Sequence, residues 1–130
     1  MKGFVEAVKG MPDFYGFEGI SEESIAAAED VLGVTFARDF KEYLKCIGVC
    51  SVNGHEIAGL GASERLDVVL TTKEARSEAP YIPGDWYAIE RVGIDGVVAW
   101  QNAAGEIFIS TLSNCGREKI ADSLLEYLKS

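Results

Sequence analysis

His55 is the only histidine in the chain, and Cys46, Cys50 and Glu56 lie close to it in sequence. These residue types can do nucleophilic or metal chemistry. A thiol becomes a competent nucleophile when an imidazole within hydrogen-bonding reach takes its proton, and nothing in this spacing assures that reach. A structural zinc site needs four ligands. Cys46, Cys50 and His55 would supply three and Cys115 a fourth, but the run C-x3-C-x4-H matches no common structural zinc spacing. His55-Glu56 does not open a zinc-protease motif either, since that motif requires a second histidine. The expectation is a structural cysteine and a turn-flanking histidine, with no catalytic residue, no metal and no cofactor.

Acid–base chemistry is the other option. Asp85, Glu90, Asp95 and Glu106 lie in the second half of the chain, and paired carboxylates can act as general acid and base. Charges scattered along strands are more often solvated faces. No glycine-rich phosphate loop, dinucleotide fingerprint or serine-hydrolase elbow is present, so the common nucleotide-binding and hydrolase classes have no motif support. Trp86, Tyr87 and Trp100 are better candidates for recognition, because an aromatic with a polar tip beside acids makes a good interface contact when exposed. Trp86, preceded by Gly84-Asp85 in a loop, is expected at a partner surface, and Trp100, on a strand, in the core.

Composition narrows the partner. Twelve Lys plus Arg against 21 Asp plus Glu give a formal charge of −9, in a chain of 130 residues that is 48% hydrophobic. That size and apolar content suit one domain spanning residues 1–130 with a substantial core. The negative field repels nucleic-acid phosphates and anionic lipid heads, so a basic protein is the natural counterpart. The first residues lack the long apolar stretch of a secretory signal, and three cysteines without a paired C-x-x-C argue for a reducing compartment. The expected location is the cytoplasm.

The elements that must position these residues are read from periodicity. Phe4, Val5, Val8 and Met11 suggest a short helix before Pro12. Ser21 caps a second helix, with Glu22 and Glu23 at the favourable end of its dipole, Ile25, Ala28 and Leu32 as its inward stripe, and Gly33 as its stop. Phe36, Phe40, Tyr43, Leu44 and Ile47 mark a third helix that Gly48 closes. Asn53-Gly54 tolerates the positive φ angles of a type I′ turn, so residues 49–58 read as a tight hairpin. The run 66–70 fits either a strand or the entry to a helix. After the Pro80–Pro83 loop come three strand-like runs, at 87–94, 97–101 and 106–111, joined by Asp95-Gly96 and by Asn102 to Gly105. Ile120, Leu124, Tyr127 and Leu128 complete the pattern as a last helix.

The order of these elements, and the residues themselves, resemble the SUKH superfamily of Smi/Knr-type proteins. The first matching block is ISEESIAAAEDVLGVTFARDFKEYL, in which Glu29, Leu32-Gly33, Asp39-Phe40 and Tyr43-Leu44 hold the family's positions. Ala37 departs from the proline common in relatives, a change compatible with the same backbone. The second block is NGHEIAGLG, similar to the hairpin of one bacterial branch. DVVLTTKEAR, the Pro83 loop, Ile94-Asp95-Gly96, Gly105 to Phe108 and ADSLLEYL follow in family order.

The resemblance implies an α+β fold with a mostly antiparallel sheet and helices packed against it. It also implies a non-enzymatic immunity protein that binds and neutralises a secreted toxin, with a basic nuclease domain as the expected partner. The alternative within the resemblance is a regulatory scaffold that binds an endogenous protein. For partner contacts the expected residues are Asp85 and Trp86, with Glu56 and Asp95 as acidic support.

Overall fold

The structure, a computed structural model, describes residues 3–62, 64–92, 96–111 and 117–130. The fold is α+β. Helix α1 (Phe4–Lys9) leads to a two-residue strand β1 (Tyr15–Gly16), then to α2 (Glu22–Leu32) and α3 (Arg38–Cys46). The hairpin β2 (Cys50–Val52) and β3 (His55–Ile57) follows, then α4 (Val68–Glu78). Strands β4 (Tyr87–Val92), β5 (Val97–Gln101), β6 (Ile107–Ser110) and β7 (Arg117–Ala121) precede α5 (Leu124–Lys129). The strands form two antiparallel sheets, ordered β1-β2-β3 and β4-β5-β6-β7. Ala58 N–H donates to the carbonyl of Ile89 at 2.8 Å, which sets the hairpin against the outer edge of β4.

Local chemistry accounts for the boundaries. The Ser21 hydroxyl accepts from Ser24 N–H, and Gly33 ends α2 at φ 68°. Asn53 and Gly54 have φ of 49° and 84°, the left-handed pair that the tight hairpin requires. The ambiguous run resolves as helix because the Asp67 carboxylate accepts from the amides of Val69 and Leu70 and so caps α4 at Val68. Gly59 is needed for close approach: a Cβ there would stand 1.7 Å from the carbonyl oxygen of Gly48.

Two expectations are corrected. Residues 117–121 form the edge strand β7, so the sheet has a fourth strand and the last helix begins at Leu124, where the Ser123 hydroxyl accepts from Glu126 N–H. Ile120 therefore sits on a strand and is exposed, instead of opening a helical stripe. The short strand β1, paired to β2, was not anticipated.

The core is aromatic where the helices meet the larger sheet. Phe36, Phe40, Tyr43 and Tyr87 pack ring against ring with centroids 4.8 to 5.4 Å apart. Each buried hydroxyl is matched. Tyr87 donates to Gln101 Oε1 at 2.7 Å and accepts from Ala37 N–H at 2.8 Å, while Tyr43 donates to the Ile57 carbonyl at 2.9 Å and accepts from Cys50 N–H at 3.0 Å. Trp100, as expected, is fully buried, and its indole N–H donates to Ser110 Oγ at 2.8 Å.

Candidate partner interface

The loop before β4 is exposed and yet held. Arg76, near the end of α4, donates from Nη1 to the Leu32 carbonyl at 3.1 Å and from Nη2 to the carbonyls of Gly84 at 2.8 Å and Trp86 at 3.3 Å. One planar guanidinium thus ties the end of α2 to both sides of Asp85. Trp86 is half-buried and stacks on Phe108, itself half-buried, with centroids 4.0 Å apart and planes 14° from parallel. Asp85 is exposed.

Asp85 lines a hollow of about 380 Å³ with Glu29, Asp30 and Val34. Glu29 is also part of a groove of about 540 Å³ between α2 and α3, with Glu22, Arg38, Lys41, Glu42 and Lys45. Arg38 and Glu42 continue into a third hollow of about 300 Å³, with Asp39, Ala103 and Asp122, and Ala103 leads back to the first. The three hollows adjoin through these shared residues and together bear seven carboxylates and three cations.

Several of those acids have internal work. Glu29 accepts from Phe36 N–H at 2.8 Å and lies 3.6 Å from Lys41; Asp39 accepts from Gln101 Nε2 at 3.0 Å and from Leu124 N–H at 2.8 Å. Glu22 pairs with Lys45 at 2.9 Å, and that hydrogen bond and charge hold its carboxyl below the usual range. Asp30, Glu42 and Asp85 have no ion pair or side-chain hydrogen bond among the described residues. All three are exposed, and Arg38, one turn before Glu42 on the same wall, is a cation likewise without an ion pair among the described residues.

The expected contact residues do not all converge. Asp85 and Trp86 are adjacent, but one lines a hollow and the other stacks on Phe108. Glu56 is on β3, its carboxylate 2.9 Å from Arg65, and its backbone N–H donates to Glu90 at the far end of β4. Glu90 is five residues along from Asp85, or about 17 Å of extended strand. Asp95 lies outside the described residues. Asp30, Glu42 and Arg76 were missed by the sequence reading. Asp30 and Glu42 sit on wet helix faces that look like any solvated charge, and Arg76 gave no signal beyond being a basic residue near a helix end.

The residues that suggested chemistry are built into the fold. Glu90 is buried, and its carboxylate accepts from His55 Nδ1–H at 2.9 Å, from Glu56 N–H at 2.6 Å and from the Tyr127 hydroxyl. His55 Nε2 lies 3.3 Å from the backbone oxygen of Ser130, and Asn53 Nδ2 donates to the Leu128 carbonyl at 2.8 Å. The hairpin, the edge of the larger sheet and α5 are joined through this one carboxylate. Cys50 is buried, and that burial pushes its thiol from 9.0 up to about 12, the Tyr43 hydroxyl partly opposing and the Glu90 charge adding. Such a thiol is not a nucleophile at neutral pH. Cys46 is exposed on α3, and Cys115 lies outside the described residues. Among the described residues no group of His, Cys, Asp and Glu is arranged to hold a metal ion.

Raised values have a pH consequence. Burial also pushes the phenols of Tyr43, Tyr87 and Tyr127 above 10.0. A group whose folded pKa is raised contributes stability that is complete below its unfolded value and is lost as pH climbs toward the folded one. The melting temperature is therefore expected to hold up to about pH 9 and then fall, Cys50 first and the tyrosines from about pH 10, at about 1.4 kcal/mol per pH unit for each titrating group. Cys50→Ala should delay the onset by about one pH unit. An unchanged onset in thermal melts across this range would contradict the assignment.

The model of the SUKH_5 family, described as SMI1-KNR4 cell-wall, matches residues 1–130. The chain belongs to the SUKH_5 family. No curated protein matches it. SUKH proteins are generally non-catalytic immunity or regulatory proteins that bind partner proteins. Among the described residues no helix is long and apolar enough to cross a membrane.

Proposed function

We propose that this SUKH_5 chain is an immunity protein that binds and neutralises a cognate secreted toxin by covering its functional groove, with a basic nuclease domain as the partner. The observation that carries the reading is the set of adjoining hollows with seven carboxylates against three cations, among them the exposed and unpaired Asp30, Glu42 and Asp85, in a chain of net charge −9. A nuclease domain must hold a polyanion, so its groove is basic. An acidic hollow steers toward that field, accelerates encounter and excludes the substrate once seated. Occlusion requires no bond to be made or broken, and no cofactor. His55 and Cys50 enter as structural groups.

Expression of a toxin domain encoded by a neighbouring gene, with and without this chain, tests the proposal. Protected growth together with a stoichiometric complex in pull-down is the expected result. Continued killing with no complex would end the immunity reading and leave the regulatory one, in which the same surface takes an endogenous protein.

A further inference from the structure

The outer face of the three-stranded sheet is uncovered, and its chemistry is specific. Tyr15 and Phe17 are 66% and 49% exposed, although large aromatic side chains ordinarily bury most of their surface. They stand two residues apart and meet edge to face, with centroids 5.7 Å apart. The pairing Tyr15 to Ser51 to Glu56 places these three residues in one row, hence on one face, while Gly16, Cys50 and Ile57 form the adjacent row facing the core. At about 4.8 Å between strands, Glu56 lies about 10 Å from Tyr15.

This segment is held firmly. Phe17 N–H donates to the Val49 carbonyl at 3.0 Å, Ile20 N–H to Leu44 at 2.9 Å and Asn53 N–H to Pro12 at 2.8 Å. A Cβ at Gly19 would stand 1.8 Å from the carbonyl oxygen of Lys45, so the backbone is pressed onto the end of α3. The aromatic pair is presented preorganised, which lowers the ordering cost of any contact made there. Asp13 and Glu18, both exposed, flank the pair in sequence. Glu56, at the far side of the row, is held by Arg65 through both guanidinium nitrogens, so Asp13 and Glu18 are the carboxylates here without an ion pair among the described residues.

We propose that this face docks a basic polypeptide segment, an arginine guanidinium lying on the rings of Tyr15 and Phe17. An aromatic ring face is electrostatically negative and attracts a guanidinium, and the neighbouring carboxylates reinforce the same sign. The surface is separate from the Asp85 groove and does not depend on the partner being a toxin.

The test is an NMR titration of the full chain with a capped octapeptide of alternating glycine and arginine. Ring resonances of Tyr15 and Phe17 should shift, and the arginine δ-methylene protons should move upfield under the ring current. The double variant Tyr15→Leu/Phe17→Leu keeps apolar area without a ring face, and should weaken binding about tenfold and abolish the upfield shift. Wild-type affinity in that variant would overturn the proposal. So would a peptide that leaves the rings unmoved and is lost in Asp30→Asn/Asp85→Asn, since it would then sit in the groove. An oligothymidylate that shifts the rings where the peptide does not would assign the face to base stacking and likewise overturn it.

Discussion

Glu90→Ala is expected to destabilise the protein by about 3 kcal/mol, or roughly 10 °C in melting temperature for a chain of this size. The carboxylate is 6% exposed and accepts from the His55 ring, the Glu56 amide and the Tyr127 hydroxyl. Removing it strands three donors in or near the core, and an unsatisfied buried polar group costs about 1–3 kcal/mol. Glu90→Gln keeps the shape and one carbonyl acceptor, so its loss should be less than half as large. The damage should be directional. Tyr127 and the carbonyls of Leu128 and Ser130 meet the hairpin through this cluster, so amide exchange in α5 should accelerate before that of β5. A Glu90→Ala protein that melts within about 0.5 kcal/mol of wild type would show that the network contributes nothing beyond a surface substitution.

Arg76→Met is the second large effect. Methionine preserves much of the aliphatic packing but removes the donors that hold Leu32, Gly84 and Trp86. Hydrogen bonds from a charged group contribute about 1.5–3 kcal/mol when buried, and these are partly exposed, so a loss of about 2 kcal/mol is expected. Arg76→Lys should rescue little, because an ammonium cannot span three carbonyls from one planar fork. The consequence for recognition is kinetic. Freed of the clamp, the loop bearing Asp85 must be ordered on binding, at about 0.5–1.5 kcal/mol per immobilised side chain, which should raise the dissociation rate several-fold and leave the electrostatically steered association rate nearly unchanged. Thermal melts and stopped-flow kinetics with the partner separate the two effects. A variant with unchanged stability and dissociation would remove Arg76 from the account.

Much of the fold was legible because it is specified locally. Ser21 and Gly33 delimit α2, and Asn53-Gly54 forces the hairpin, through chemistry confined to a few residues. The run 66–70 stayed ambiguous on apolar periodicity, and the Asp67 cap was the local feature that resolved it. Strand β7 was misread for a physical reason. Ile120, Leu124, Tyr127 and Leu128 keep helical spacing by coincidence across a strand, a bend and a helix, and the polar Glu118 and Lys119 conceal the strand. A two-residue strand such as β1 is too short to carry a period at all.

The candidate site was less legible, because it is assembled from distant parts. Glu90 meets His55 and Tyr127 across 35 and 37 residues, and nothing near Glu90 in sequence distinguishes it from a solvated strand carboxylate. Asp30, Glu42 and Asp85 come from two helices and a loop, and only the packing of α2 against α3 and the Arg76 clamp gathers them around adjoining hollows. The expectation for Asp85 and Trp86 rested on loop chemistry. In the structure Asp85 lines a hollow, while Trp86 is half-buried against Phe108.

If a neighbouring gene encodes a toxin domain, calorimetric titration of the chain with that domain tests most directly the proposal that these acidic hollows receive a basic protein. The account predicts a one-to-one complex whose affinity falls with rising salt and drops by at least about tenfold in the charge-reversed variant Asp30→Lys/Glu42→Lys/Asp85→Lys. Absence of a complex, or a complex that the reversed variant forms with wild-type affinity, would contradict it.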